Sequence, residues 1–482
     1  MVRSTASVPS GLPATIAELR ESGWRSRTVK EEMRANLVTR IAADRPVFDG
    51  IVGYEDSVVP AIENAVLAGQ DIVFLGERGQ AKTRLARLLV TLLDEWLPIV
   101  RGGELNDDPF APISAAARAL VADSADVTPI DWLPRDRRYA EKLATPDITI
   151  ADLIGEVDPI RVAEGRYLSD EMTLHYGLIP RANRGIFAIN ELPDLAERIQ
   201  VGLLNILEER DVQVRGFNIR LPLDLFVVAS ANPEDYTSRG RIITPLKDRL
   251  GSQIRTHYPR SLEHEVSIVR QEKQRFPADE SIPPVVVPGF MEELVAELTH
   301  LARRSPEISQ RSGVSVRVSV ANMEVLEAAA MKRAVRLGEP LAAPRVSDLG
   351  AILASTTGKV EVETVGEDTP EERIVERLVT KAVFATFNRH ASVDRLEPVL
   401  EAFEDGLVLE TGERVPSRDY VRWMREVPGM REAVERLGTF DASEGAQEPA
   451  LVASAVEFLL EGLHLQRRLN KDRGPAGVTY RR

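Results

Sequence analysis

The sequence predicts an α/β fold, a parallel sheet with crossover helices followed by a helical C-terminal half. Three observations predict it. DIVFLG (71–76), GIFAIN (185–190) and LDLFVVASAN (223–232) are short apolar runs of strand type, each ending in a polar or glycine turn. Longer stretches with helical spacing separate them, as parallel strands joined by crossovers require. Beyond residue 290 the patterns are mainly helical.

In chain order, residues 1–45 space apolar positions helically after a Pro/Gly start. There, AELRESGWRSRTVKEEMRANLVTRI reads as one or two surface helices. A Pro-, Asp- and Ala-rich stretch at about 101–144, containing WLPRDRRYAEKL, reads as an insertion on the α/β domain. The prolines of SIPPVVVPGF (281–290) withhold donors that a helix needs, which marks a hinge. MEELVAELTHLARR, RVSVANMEVLEAAAMKRAVRLG, PEERIVERLVTKAVFATFNRH and PALVASAVEFLLEGLHLQRRLN follow with helical periodicity. The tail NKDRGPAGVTYRR is expected to be unordered.

Composition narrows the function. The 482 residues include no cysteine, which excludes disulfides, thiolate metal sites, iron–sulfur clusters and a cysteine nucleophile. The net charge of −14 argues against a chain that coats nucleic acid. The first residues lack the apolar core of a signal peptide, and no run approaches the roughly 18 apolar residues that span a membrane. The expectation is a soluble, cytoplasmic protein with no membrane segment.

The most informative segment is DIVFLGERGQAKTRLARLL. An apolar strand runs into Gly76-Glu77-Arg78-Gly79-Gln80-Ala81-Lys82-Thr83, and a helix follows. Backbone N–H groups that wrap a phosphate chain need small residues around them, and a helix N-terminus adds positive partial charge. Lys82 would meet the β/γ-phosphates and Thr83 would give its hydroxyl to Mg²⁺. Ala81 stands where G-x-x-x-x-G-K-[ST] has its second glycine, and its methyl group is costly if the backbone there needs positive φ. Next, GIFAIN places Asn190-Glu191 at a strand's C-terminal end. Glu191 is placed to orient or deprotonate a water, and Asn190 stands where an aspartate would order Mg²⁺. A helix cap would use the same two residues. Asn232 ends the third run, where its amide could reach a γ-phosphate or serve only as a turn signal before Pro233.

Together these segments resemble AAA+ ATPases of the P-loop NTPase class, and within them the MoxR and magnesium-chelatase ATPase-subunit (subunit I-like) group. The resemblance starts at Ile51-Val52-Gly53-Tyr54-Glu55 and passes through GERGQAKT, DLIGEVDP, GLIPRANRGIFAINE and SANPED to LKDRLG. It implies a parallel-sheet ATP-binding domain at 46–260, with the insertion at about 101–144 and a helix-2 insert at about 152–180. A helical lid at 261–390 and a helical C-terminal region at 391–482 would follow the N-terminal segment 1–45 and this domain. It implies ATP and Mg²⁺ as cofactors. Val52, Gly53 and residues Gly76, Glu77, Arg78, Gly79, Gln80, Ala81, Lys82, Thr83 and Arg84 would hold the nucleotide. Thr83, Asn190 and Glu191 would face the metal. Glu191 matches the catalytic glutamate, Asn232 the first sensor, Arg249 the arginine finger and Arg317 the second sensor. The segment 212–224 resembles the pre-sensor hairpin, where Arg215 and Arg220 face a ring pore or are plain surface charges.

The expected function is an ATPase acting in a homo-oligomeric ring, for example a hexamer, to remodel a partner protein or assist metal or cofactor insertion. A von Willebrand A domain protein is the implied partner and the client is unknown. DASEG (441–445) only partly matches that domain's metal motif and reads as a loop. Three alternatives stay open, an ATP-binding scaffold with little hydrolysis, a nucleic-acid-dependent motor and, more narrowly, a true magnesium-chelatase subunit. The six scattered histidines show no H-x-x-x-H pair, and RDRR and QRRLNKDR are brief basic runs without interleaved aromatics.

Overall fold

The computed structural model describes residues 9–157, 173–208, 211–213, 220–232, 241–277, 279–309, 313–363, 370–438, 448–474 and 477–482. The chain forms two compact units, Met1–His257 and Tyr258–Arg482.

The first unit is built on five strands, β1 (Ile72–Leu75), β2 (Tyr139–Leu143), β3 (Gly185–Asn190), β4 (Leu225–Ala231) and β5 (Ser252–Arg255). Their spatial order is β5-β1-β4-β3-β2, and every pairing is parallel. The central strands β3 and β4 are buried along their whole length, which is why they read as continuous apolar runs. Alternate residues feed two cores. Ile186, Phe226, Val228 and Phe74 pack with α1 (Val29–Ala42), α2 (Val58–Leu67) and α3 (Lys82–Leu88). Phe187, Ile189, Val227 and Ala229 pack with α4 (Glu197–Glu208) and α5 (Thr244–Arg249). Helices on both faces of a parallel sheet leave the strand C-termini as the open end, where such folds bind ligands.

Two sequence expectations in this unit are corrected. The N-terminal helix α1 is not a surface helix, because Val29, Met33 and Leu37 are buried in the sheet's core. The stretch at 101–144 is not wholly an insertion. Trp96–Val100 and Ile130–Pro134 pair as an antiparallel hairpin, but Tyr139–Leu143 is the edge strand of the main sheet. An edge strand has one open flank, so YAEKL can be polar and escape a search for apolar runs. Within the expected helix-2 insert, Gly155–Val157 pairs with Leu174–Tyr176, and 158–172 lie outside the described residues. Asp211–Gln213 pairs with Arg220–Pro222 where the hairpin was expected, and Arg215 lies outside the described residues.

The second unit is mainly helical. Helices α6 (Leu262–Glu272), α7 (Gly289–Arg304), α8 (Arg317–Leu337), α9 (Glu371–His390) and α10 (Pro449–Leu465) share one core. Phe290 stacks on Phe458 with ring centroids 4.5 Å apart. Gly462 lets α10 meet Phe387, since a Cβ there would sit 1.9 Å from that ring. The expected unordered tail is a third correction. Asn470–Arg473 and Val478–Arg481 form a hairpin that pairs with Leu409–Thr411. Buried Tyr480 donates to the Glu461 carboxylate, and Lys471 Nζ lies 2.6 Å from the same group. Among its described residues, Val478 and Tyr480 pack that hairpin against the core, a signal too small to stand out in sequence. DASEG lies outside the described residues. No helix among the described residues is long and apolar enough to cross a membrane.

Candidate functional site

The loop after β1 folds tightly for reasons that can be read atom by atom. A Cβ on Gly76 would lie 1.9 Å from the Thr256 hydroxyl and 2.2 Å from the Gln80 amide oxygen. That oxygen accepts from the Glu77 N–H at 3.1 Å and the Thr256 hydroxyl at 2.7 Å, so Gln80 staples the loop to the end of β5. Gly79 takes φ +76°, which glycine tolerates without cost. Ala81 takes φ +56° and ψ +15°, a left-handed conformation that crowds a Cβ. Helix α3 begins at the next residue.

Lys82 is buried in the loop it helps to form. Its ammonium donates to the carbonyl oxygens of Gly76 and of Glu77, the latter at 2.9 Å, and to Asn232 Oδ1 at 2.5 Å. Asn232 Nδ2 in turn donates to Glu191 Oε2 at 2.8 Å. The orientation of this amide follows from its neighbours, since an ammonium can only donate and a carboxylate can only accept. Three strands thus deliver one chain of groups, from Lys82 after β1 through Asn232 after β4 to Glu191 after β3. Glu191 also has positive φ, +56°, and its N–H donates to Ser230 Oγ at 3.2 Å. Strained backbone at a non-glycine residue persists where surrounding structure holds it, and such positions cluster at functional sites.

Asn190 lies beside this chain, at the end of β3. Its Nδ2 donates to Glu141 Oε1 at 2.5 Å and its Oδ1 accepts from Ser230 Oγ at 3.3 Å. Thr83 is the second residue of α3. Glu141 holds Arg87 through Nε at 2.8 Å and Nη2 at 3.0 Å, and this bond is the main reason the guanidinium titrates above its ordinary range. On the far side of the loop, Val52 and Gly53 precede Tyr54. The buried Tyr54 hydroxyl lies 2.9 Å from Gln80 O and 2.8 Å from His257 O, and burial pushes its pKa up to about 12. Tyr54 therefore ties the 51–55 segment to the loop.

The sequence-predicted residues thus fall into two sets. Lys82, Asn190, Glu191 and Asn232 meet at one end of the sheet. Arg249 ends α5, where its guanidinium donates to Pro245 O at 2.9 Å on its own helix. Arg317 opens α8 in the second unit, with its N–H on Ser315 Oγ at 3.1 Å. Glu141, Ser230, Tyr54 and His257 take part in the site without having been singled out from the sequence. Tyr54 carried a signal as a member of the IVGYE segment, and Ser230 as the first residue of SANPED.

The donor set suits a hard cation shared with a phosphate chain. The Thr83 hydroxyl, the Asn190 amide oxygen and the Glu191 carboxylate are oxygen ligands of the type that Mg²⁺ takes. Among the described residues no three or more His, Cys, Asp or Glu converge on one metal position, so protein groups alone do not form a cage.

Comparison with known proteins gives several partial likenesses. Residues 163–252 match a family described as the Sigma-54 interaction domain. The chain is 26% identical over 260 residues to the magnesium-chelatase 38 kDa subunit of Cereibacter sphaeroides, spanning 53% of this chain and 70% of that protein. It is 24% identical over 202 residues to the uncharacterized protein YeaC of Bacillus subtilis, covering 39% of this chain and 59% of the relative. Among solved structures, the complex between subunits BchI and BchD of magnesium chelatase is 22% identical, covering 70% of this chain and 100% of that one with a TM-score of 0.35. NtrX from Brucella abortus in complex with ADP is 15% identical, covering 74% and 66%, with the same TM-score. On its phosphate-loop sheet and these sequence matches, the chain is similar to AAA+ P-loop proteins of the MoxR and magnesium-chelatase type.

Proposed function

We propose that the first unit binds ATP with Mg²⁺ at the open end of its sheet and hydrolyses it, within a ring of like subunits, to remodel a partner protein or assist metal or cofactor insertion. The observation that carries this reading is the Lys82–Asn232–Glu191 chain. Lys82 and Glu191 hold each other's charge through one amide. An incoming γ-phosphate competes with the Asn232 oxygen for the ammonium, and this links phosphate arrival to release of the carboxylate that handles water. Mg²⁺, when bound, would neutralise charge on the β- and γ-phosphates. Thr83, Asn190 and Glu191 are the residues that would hold it. Arg249 and Arg317 are proposed to stabilise charge on the transferred phosphoryl group, Arg249 from a neighbouring subunit. A von Willebrand A domain protein is the proposed partner, as the family resemblance implies.

Labelled-ATP binding tests the first half of the proposal. Lys82→Ala should lose affinity by at least about tenfold, roughly the 1.4 kcal/mol that one charge-assisted hydrogen bond supplies. Equal, negligible affinity in both proteins would sink it. Phosphate release tests the second half, where Glu191→Gln should slow turnover by about 10²–10⁴-fold while nucleotide still binds.

A second reading, an ATP-binding scaffold with little hydrolysis, is favoured by two particular observations. Ala81 is held left-handed and Asn190 replaces a carboxylate. Tight nucleotide binding with no phosphate release above the Glu191→Gln background would select it.

A further inference from the structure

The strand beside Asn190 carries a carboxylate that the motif lacks. Strands β2 and β3 run parallel with Glu141 opposite Ala188 and Leu143 opposite Asn190. The Glu141 side chain leans forward along the strand, so that its carboxylate ends level with the Asn190 amide, 2.5 Å from Nδ2. Since a carboxylate only accepts, this bond fixes which way the amide points. Its oxygen is turned the other way, toward Ser230 and the end of β4.

We propose that Glu141 is a positioning residue for the nucleotide-bound cation. It locks Asn190 with the amide oxygen available as a ligand, and it returns to the site, from the adjacent strand, the negative charge that Asn190 does not carry. The inference rests on the ATP/Mg²⁺ reading above. Outer partners that orient a metal's ligands commonly control affinity about as strongly as the ligands themselves. Arg87 is the counterweight. Its bidentate bond balances Glu141, so the charge that a cation senses depends on how tightly Arg87 holds on. A plain surface ion pair would contribute little, and Arg87 is half exposed. The third bond, to Asn190, sets this pair apart, because it carries the pair's electrostatics to the end of β3.

The charge-relay view and the ion-pair view predict opposite patterns, so a set of variants of the full chain decides between them. The readout is the ratio of affinity for a fluorescent ATP analogue in Mg²⁺ to that in EDTA, with the Mg²⁺ concentration at half-maximal effect. Glu141→Gln should lower the ratio and raise the midpoint, each by about tenfold. Arg87→Ala should shift the midpoint the other way, to lower Mg²⁺. Asn190→Asp should also lower it, and Asn190→Asp combined with Glu141→Gln should return near the wild-type midpoint. A Glu141→Gln midpoint equal to wild type overturns the proposal, as does Arg87→Ala moving in the same direction as Glu141→Gln. If Glu141→Gln does not fold, an unshifted Arg87→Ala midpoint overturns it alone. Wild-type protein that binds the analogue in neither condition removes the ATP reading itself, and the inference falls with it. An intact Mg²⁺ response with no Glu141 effect removes only the inference.

Discussion

The same parallel sheet carries buried charge at both of its ends, and the two ends treat it differently. At the N-terminal ends of the strands, Asp71, Arg138, Arg184 and Asp224 each stand one residue before a strand begins. Arg138 makes a two-pronged pair with Glu32, both bonds 2.6 Å, with 1% and 2% of the side chains exposed. Its Nε donates to Arg184 O at 2.8 Å, and Arg184 donates to Pro98 O at 2.7 Å. Asp71 accepts from Val227 N–H, and Asp224 accepts from Val29 N–H at the start of α1. At the C-terminal ends, Lys82, Asn232 and Glu191 bond chiefly to one another and to loop carbonyls, and Ala81 and Glu191 hold left-handed backbone. The first end locks elements together, with Asp71, Arg138 and Asp224 held by fixed partners, and Arg184 there takes left-handed backbone at φ +59°. The second end keeps polar groups on short chains of partners that a phosphate could replace, so backbone strain, present at both ends, is not what separates them. Burial and pairing alone therefore do not identify a working site.

The largest expected effect breaks the N-terminal end. Arg138→Met leaves the Glu32 carboxylate buried without its partner and should cost about 3–5 kcal/mol of stability. Glu32→Leu combined with Arg138→Met should cost less than Arg138→Met alone, because no orphan charge remains. Urea unfolding midpoints measure both. A cost below about 1 kcal/mol for the single variant would erase the contrast between the two ends, since surface-like pairs behave that way.

The two ends also differed in how far the sequence revealed them. Strands β1, β3 and β4 were legible because full burial makes a continuous apolar run, and Lys82, Asn190, Glu191 and Asn232 stand at the ends of those runs. Glu141 was hidden because its strand is an edge, polar on its open side. Glu32 and Arg138 are 106 positions apart, and neither has a local pattern that signals the other. The helix that carries Glu32 spaces its apolar residues only loosely, so it read as a surface element although one face is core. For Arg249 and Arg317 the only signal was family resemblance, since an arginine in a polar helical segment looks like any solvated charge.

A smaller effect sharpens the comparison through pH. Burial raises the Asp224 carboxyl to about 6, against an ordinary value of 3.8. The folded state then binds its proton more tightly than the unfolded chain does. Stability from this group is fully present below about pH 4 and is lost as pH rises through about 6. Asp224→Asn cannot titrate. Relative to wild type it should gain on the order of 2–3 kcal/mol between pH 4 and pH 7, the equivalent of about two pKa units. Paired thermal unfolding at the two pH values measures the difference. A constant gap between the proteins would mean that the carboxyl is solvated, and that the N-terminal end is less closed than its hydrogen bonds imply.

The smallest effect tests the strain at the other end. Ala81 holds φ +56°, where a Cβ costs about 1–2 kcal/mol. Ala81→Gly removes that cost but adds freedom to the unfolded chain, worth about 0.4–1 kcal/mol. The balance should be a gain of about 0.5–1 kcal/mol in stability. Gly79→Ala, at φ +76°, should show the opposite sign. If strain at the loop serves the site, Ala81→Gly should also change labelled-ATP affinity, while an equally mild change at the N-terminal end leaves affinity alone. A stability gain without any change in affinity would make Ala81 a tolerated defect, and the difference between the two ends would then rest on the Lys82–Asn232–Glu191 chain alone.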